Sequence, residues 1–126
     1  MAIRSISESI HHLEILKDGW FDGSGLAPKP EILSLVEMWL NSYFTNSSYP
    51  FPYLYPTAEG GVTAEWSLGV FDLFCVEFDP VRQIIEWHGI LGSESDYTEH
   101  SIYLWDVEGF QSLTEEILSL LKKKSA

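Results

Sequence analysis

Among side chains able to do chemistry, the densest group of suitable types is Glu65, Glu77, Glu86 and His88. They fall in stretches where apolar and polar residues alternate. Glu86 and His88, two apart, share one strand face because side chains alternate along extended backbone. Carboxylates beside a histidine build metal sites and general acid–base pairs. One reading is therefore a small metal- or ligand-binding enzyme using Glu65, Glu77 and His88. The usual carriers of such chemistry are missing: there is no HExxH, no Cys/His cluster, and no lysine after an acidic pair as in many metal-dependent nucleases. An enzyme acting on phosphates would need more positive charge than Arg82, the one basic side chain between 51 and 110. The plainer reading of these residues is a solvated strand face carrying gatekeeping charge. No metal, cofactor or catalytic residue is expected.

Other reactive types fare no better. Gly60-Gly61 and the glycines at 19, 23 and 25 lack dinucleotide or P-loop spacing, so they read as turn geometry. His11 and His12 are helix neighbours that diverge by about 100°, unlike a chelating i, i+4 pair. His100 is a lone strand-edge histidine, and no serine sits in a GxSxG elbow. Cys75, between Phe74 and Val76, reads as a buried thiol. As the only cysteine it cannot form an internal disulfide, which suits a reducing cytoplasm.

Charge and aromatics point to binding instead. The net charge is −12, and residues 51–110 set Arg82 against eleven carboxylates. Such a field repels nucleic-acid phosphates and attracts basic partners. Aromatics make up 14% of the chain, and Trp and Tyr dominate interface hot spots. The leading expectation is a non-enzymatic, acidic interaction protein whose strand face masks a basic partner through Glu65, Asp72, Glu77, Glu86, Trp87 and Trp105. The expected partner is a toxin or a nucleic-acid-binding protein. A structural homo-oligomer subunit is the third reading. No apolar run reaches the roughly 18 residues needed to span a bilayer, and none resembles a signal peptide, so a cytoplasmic protein without direct nucleic-acid or membrane contact is expected.

The elements that must position these residues follow from periodicity. Ile3, Ile6, Ile10, Leu13 and Leu16 predict a first helix closed by Asp18-Gly19, with Trp20 and Phe21 folding back to seal the core edge. Pro28 to Glu31 opens a second helix whose stripe runs Ile32, Leu35, Val36, Trp39, Leu40, Tyr43 and Phe44. From Phe51 the period becomes 2. Strands are expected over 52–56, 62–66, 70–78, 83–91 and 100–105. Ser112 to Glu115 resembles a capping box opening a terminal helix. Short turns force an antiparallel meander of four to five strands, covered on one face by two N-terminal helices and one C-terminal helix. The fold class is α+β, a single domain over 1–126.

With these elements in view, the chain resembles a loosely defined, largely uncharacterised group of small bacterial proteins. The residues that carry the likeness are Leu16, Gly19, Trp20, Gly23, Gly25 and Pro28, then Pro56, Gly60, Gly61, Val62, Glu65 and Trp66. Some members sit beside toxin or nuclease genes. The resemblance implies a bacterial or phage origin and antitoxin-like or immunity-like service, and it implies no catalytic residue.

Overall fold

The computed structural model describes residues 5–44, 51–67, 73–90 and 97–125. Ile3, Asp72, the start of the strand expected from Val70 and the loop at 93–96 lie outside the described residues. Helix α1 spans Ile6–Glu14 and opens at Ser5, whose Oγ accepts the Glu8 amide at 3.1 Å. It buries Ile6, Ile10 and Leu13, the face its spacing predicts. Helix α2 spans Pro30–Tyr43, with proline at its start and Ile32, Leu33, Leu35, Val36, Trp39 and Leu40 buried.

Five strands follow: β1 Tyr53–Pro56, β2 Val62–Ser67, β3 Leu73–Asp79, β4 Ile84–Ile90 and β5 Tyr97–Tyr103. They pair in sequence order, every pair antiparallel, so the expected meander is present. Register decides which side chains share a face. Val62, Phe78, Ile85 and Ile102 form one cross-strand row, and Ala64, Val76, Trp87 and His100 the next. This apolar face takes the helices, giving a two-layer α+β fold.

Trp39 of α2 is the hub of the core. Its ring meets Phe44 at 5.4 Å, Trp66 at 5.9 Å, Phe78 at 5.5 Å and Phe110 at 5.6 Å. Its indole N–H donates to Thr114 Oγ1 at 2.9 Å, and that hydroxyl donates to the Phe110 carbonyl at 2.8 Å. A buried indole needs such an acceptor, and Thr114 supplies it from within the last helix.

That helix, α3, spans Val107–Ser125 and so starts earlier than the Ser112 capping box implies. Asp106 is the reason. Its carboxylate accepts the Gly109 amide at 3.0 Å, an N-cap bond that nucleates the helix ahead of the second signal. Strand β5 is likewise displaced toward the N-terminus of its expected span, which leaves Trp105 beyond the strand.

The segment after α1 also differs from expectation. Phe21 is exposed, and Trp20 packs on its own loop rather than sealing the core. The Trp20 indole N–H donates to the Leu26 carbonyl at 2.7 Å, and its ring lies over Gly25, where a Cβ would sit 3.0 Å from it. The loop then docks on the β1–β2 turn: the Leu26 amide donates to Ala58 at 2.8 Å and the Lys29 amide to Gly60 at 2.9 Å.

Candidate functional site, the open sheet face

Strand alternation sends the opposite set of side chains away from the helices. One row across this open face reads Tyr53, Glu65, Cys75, His88, Glu99, and the next reads Tyr55, Thr63, Glu77, Glu86, Ser101. The antiparallel register thus brings Glu65, Glu77, Glu86 and His88 onto one surface. Glu99 and Tyr55 join them, residues missed from sequence. Glu99 was detectable only with the correct start of β5, because the polar loop before it obscures the alternation.

Trp87 does not belong to this surface. It is 0% exposed and stacks on Phe74 at 5.3 Å inside the core. A partner cannot reach it, which corrects its place in the expected contact set. Its position between Glu86 and His88 dictates this, since neighbours on a strand face opposite ways. Trp105 is 61% exposed but lies past β5, beside α2 and α3. Asp72 is outside the described residues. Cys75, expected as a buried thiol, is half-buried on the open face, where its Sγ donates to Glu65 Oε1 at 3.6 Å.

Arg82 organises one end of the surface. Its Nε donates to Asp79 Oδ2 at 2.6 Å and its Nη2 to Glu86 Oε1 at 2.6 Å, with Glu77 at 4.0 Å. Asp79 also accepts the amides of Val81 and Arg82, which closes the β3–β4 turn. Partial burial pushes the Asp79 carboxyl upward, but the guanidinium and the two amides outweigh it and hold the group below the usual carboxylate range. Glu77 goes the other way. Burial raises it, the charges of Asp79 and Glu86 add to that, and the longer contact with Arg82 does not compensate. Its hydrogen bonds to the Asp79 and Glu86 carboxylates in turn raise the guanidinium, so Arg82 stays charged.

The other end is quieter. Burial pushes the Cys75 thiol up to about 11, with the Glu65 charge adding. Burial pushes the Tyr55 phenol up to about 12, with Cys75 and Glu65 contributing. Both shifts favour the protonated form at neutral pH, which disfavours the thiolate as a nucleophile. His88 lies 3.4 Å from Glu86 and 3.9 Å from Glu99.

Glu65, Glu77 and His88 therefore face three different neighbours instead of one point. Glu65 holds Cys75, Glu77 faces Arg82, and His88 sits between Glu86 and Glu99. Among the described residues no three His, Cys, Asp or Glu side chains are grouped to hold a metal ion. What the face offers is an array of carboxylates, with Arg82 its one basic side chain other than histidine among the described residues. Among the described residues, no helix is long and apolar enough to cross a membrane. Comparison with known proteins finds no matching family model, no matching curated protein and no matching solved structure.

Proposed function

We propose that this chain is a non-enzymatic, acidic protein-interaction module whose open sheet face receives a basic surface of a partner protein. The observation that carries the reading is the register, which brings Glu65, Glu77, Glu86 and Glu99 from four strands onto one face. A partner bringing arginine or lysine to this face would gain encounter rate from the field of a chain with net charge −12. Arg82 is a working example of the geometry, since Asp79 and Glu86 already hold its guanidinium at hydrogen-bonding distance, with Glu77 at 4.0 Å. Antitoxin-like or immunity-like masking of a toxin or other nucleic-acid-binding protein is the form of this function that the resemblance favours.

The test is to capture a partner from the source cell at low salt, identify it, and measure its affinity for the full chain. Affinity is expected to fall with salt, and to drop by about tenfold or more in Glu77→Lys and Glu86→Lys variants. A captured protein whose binding ignores both salt and charge reversal would defeat the reading.

A further inference from the structure

The sheet has two edges, and they are built differently. Beside β1, the Thr57 amide donates to the Gly61 carbonyl at 3.1 Å, a bonded pair that continues the Pro56–Val62 register. Bonded and non-bonded pairs alternate along an antiparallel ladder. Tyr53 and Tyr55 therefore turn their backbone groups toward β2, while Leu54, Pro56 and the preceding Pro52 turn theirs outward. Two of these three outward positions have no N–H to offer, a device by which natural sheets close an edge. Helix α1 also lies beside β1.

The β5 edge has no such device. The Leu104 amide donates to the Gln83 carbonyl at 2.8 Å, which continues the Ile84–Tyr103 register. By the same alternation His100 and Ile102 turn their backbone groups to β4, and Glu99, Ser101 and Tyr103 turn theirs away from the sheet. The Tyr103 carbonyl there accepts the Asp106 amide at 3.1 Å. From Tyr97 to Tyr103 the strand holds no proline and no lysine, and its unbroken register with β4 leaves no bulge to bend it. A cleft of about 480 Å³ runs along this edge, lined by Ile84, Ser101, Ile102, Tyr103 and Asp106. Ser101 is exposed, and Tyr103 is 76% exposed. Among the described residues, no further strand pairs with β5.

The strand's own residues identify the occupant. Glu99 is its one carboxylate and lies 3.9 Å from His88, while His100 lies 3.6 Å from Glu116 of α3. A two-fold axis at His100 or at Ser101 pairs two β5 strands antiparallel and sets Glu99 opposite Ser101 or Tyr103 of the second copy. In either register the carboxylate meets a hydroxyl group and never a second carboxylate. The edge is thus self-complementary, although the chain as a whole carries a charge of −12. With its other edge closed by proline, a chain can pair only once, so the contact makes a closed dimer and no fibre.

We infer that β5 pairs edge to edge with β5 of a second copy, joining two five-stranded sheets into one. Opposed residues of antiparallel strands project to the same side, so both open faces point one way and the helices stay behind them. The dimer presents the carboxylate face twice, side by side. This pairing goes beyond the interaction reading above and does not depend on it.

Sedimentation velocity of the full chain from about 1 to 100 μM, at low and high salt, tests the inference. A dimer is expected, and its share is expected to grow with salt, which screens the repulsion between two acidic chains. Ser101→Pro removes an outward N–H and leaves the β4–β5 ladder whole, so it is expected to weaken dimerisation by about tenfold or more. Amide exchange on the parent chain needs no variant and decides the matter if Ser101→Pro does not fold. The Ser101 and Tyr103 amides are expected to exchange more slowly as concentration rises. A monomer at every concentration and salt overturns the inference. So does a dimer that a folded Ser101→Pro chain retains, or one that leaves the Ser101 amide unprotected. Oligomers that grow without limit overturn the closed pairing. Capture of a basic partner is read separately, because its affinity falls with salt while the dimer's rises.

Discussion

The Lys29 amide donates to the Gly60 carbonyl at 2.9 Å, and this bond ties the loop after α1 to the turn between β1 and β2. The two glycine-bearing segments, far apart in sequence, are therefore one structural joint. Gly60 stands at φ +87, where a Cβ would also approach the Ala27 carbonyl to 3.1 Å. Gly61 is tighter still, because a Cβ there would collide with the Phe78 carbonyl oxygen and press on Thr57 Oγ1. Gly61→Ala is expected to destabilise by about 3 kcal/mol, since rigid backbone must move to admit the methyl group. Gly60→Ala is expected to cost about 1–2 kcal/mol from its left-handed conformation. Urea midpoints measure both, and equal effects at the two positions would contradict this account.

Thr114 is the acceptor for the buried Trp39 indole. Thr114→Val keeps the shape and leaves that N–H without its acceptor, so a loss of about 1–3 kcal/mol is expected. Thr114→Ser keeps the hydroxyl and is expected to lose less. Thermal unfolding of the pair separates lost hydrogen bonding from lost packing.

Asp79 and Glu77 have opposite signs with pH. The Asp79 carboxyl is lowered on folding, so its stabilisation is present above the ordinary carboxylate range near pH 4 and is lost as pH falls through the depressed value. Asp79→Asn is expected to cost about 2 kcal/mol at pH 7, with the gap to the parent shrinking below pH 4. Glu77 is raised, so its favourable contribution exists below the ordinary range and is lost as pH rises through the raised value. Glu77→Gln is expected to be neutral or stabilising at pH 7 by about 0.5 kcal/mol or less, a small effect because the side chain is a third exposed and solvent screens it. Urea titrations at pH 7 and pH 3 test the signs.

Cys75 is held protonated by burial and by Glu65. Its alkylation by iodoacetamide at pH 8 is expected to be slower than that of a free thiol by about one to two orders of magnitude. Glu65→Gln is expected to speed the reaction. An unchanged rate would mean that access alone protects the sulfur.

Much of the candidate site was legible before any fold was known. Glu86 and His88 share a face because they are two residues apart, and the same parity places Trp87 in the core. Trp105 was not placed correctly, because the periodic signal of β5 carries no mark for its end. The α3 start was missed for a related reason: Asp106 and Ser112 both offer capping chemistry, and only the packing of Phe110 on Trp39 and of Thr114 under its indole selects the first.

Sequence by itself determines the element types, their order and the acidity of the middle of the chain. Those properties are local, set by a repeat of 3.6 or 2, by proline and glycine, and by which side chains ionise. Tertiary structure decided the rest, because it depends on register and docking. Pairing Glu77 with Glu86 and Glu65 with Cys75 sets which carboxylates meet Arg82 and which meets the thiol. The joint between Lys29 and Gly60 and the bond from Trp39 to Thr114 arise where segments distant in sequence pack together. No local pattern encodes those separations. They follow from burying one apolar face of a five-stranded sheet under helices of fixed length.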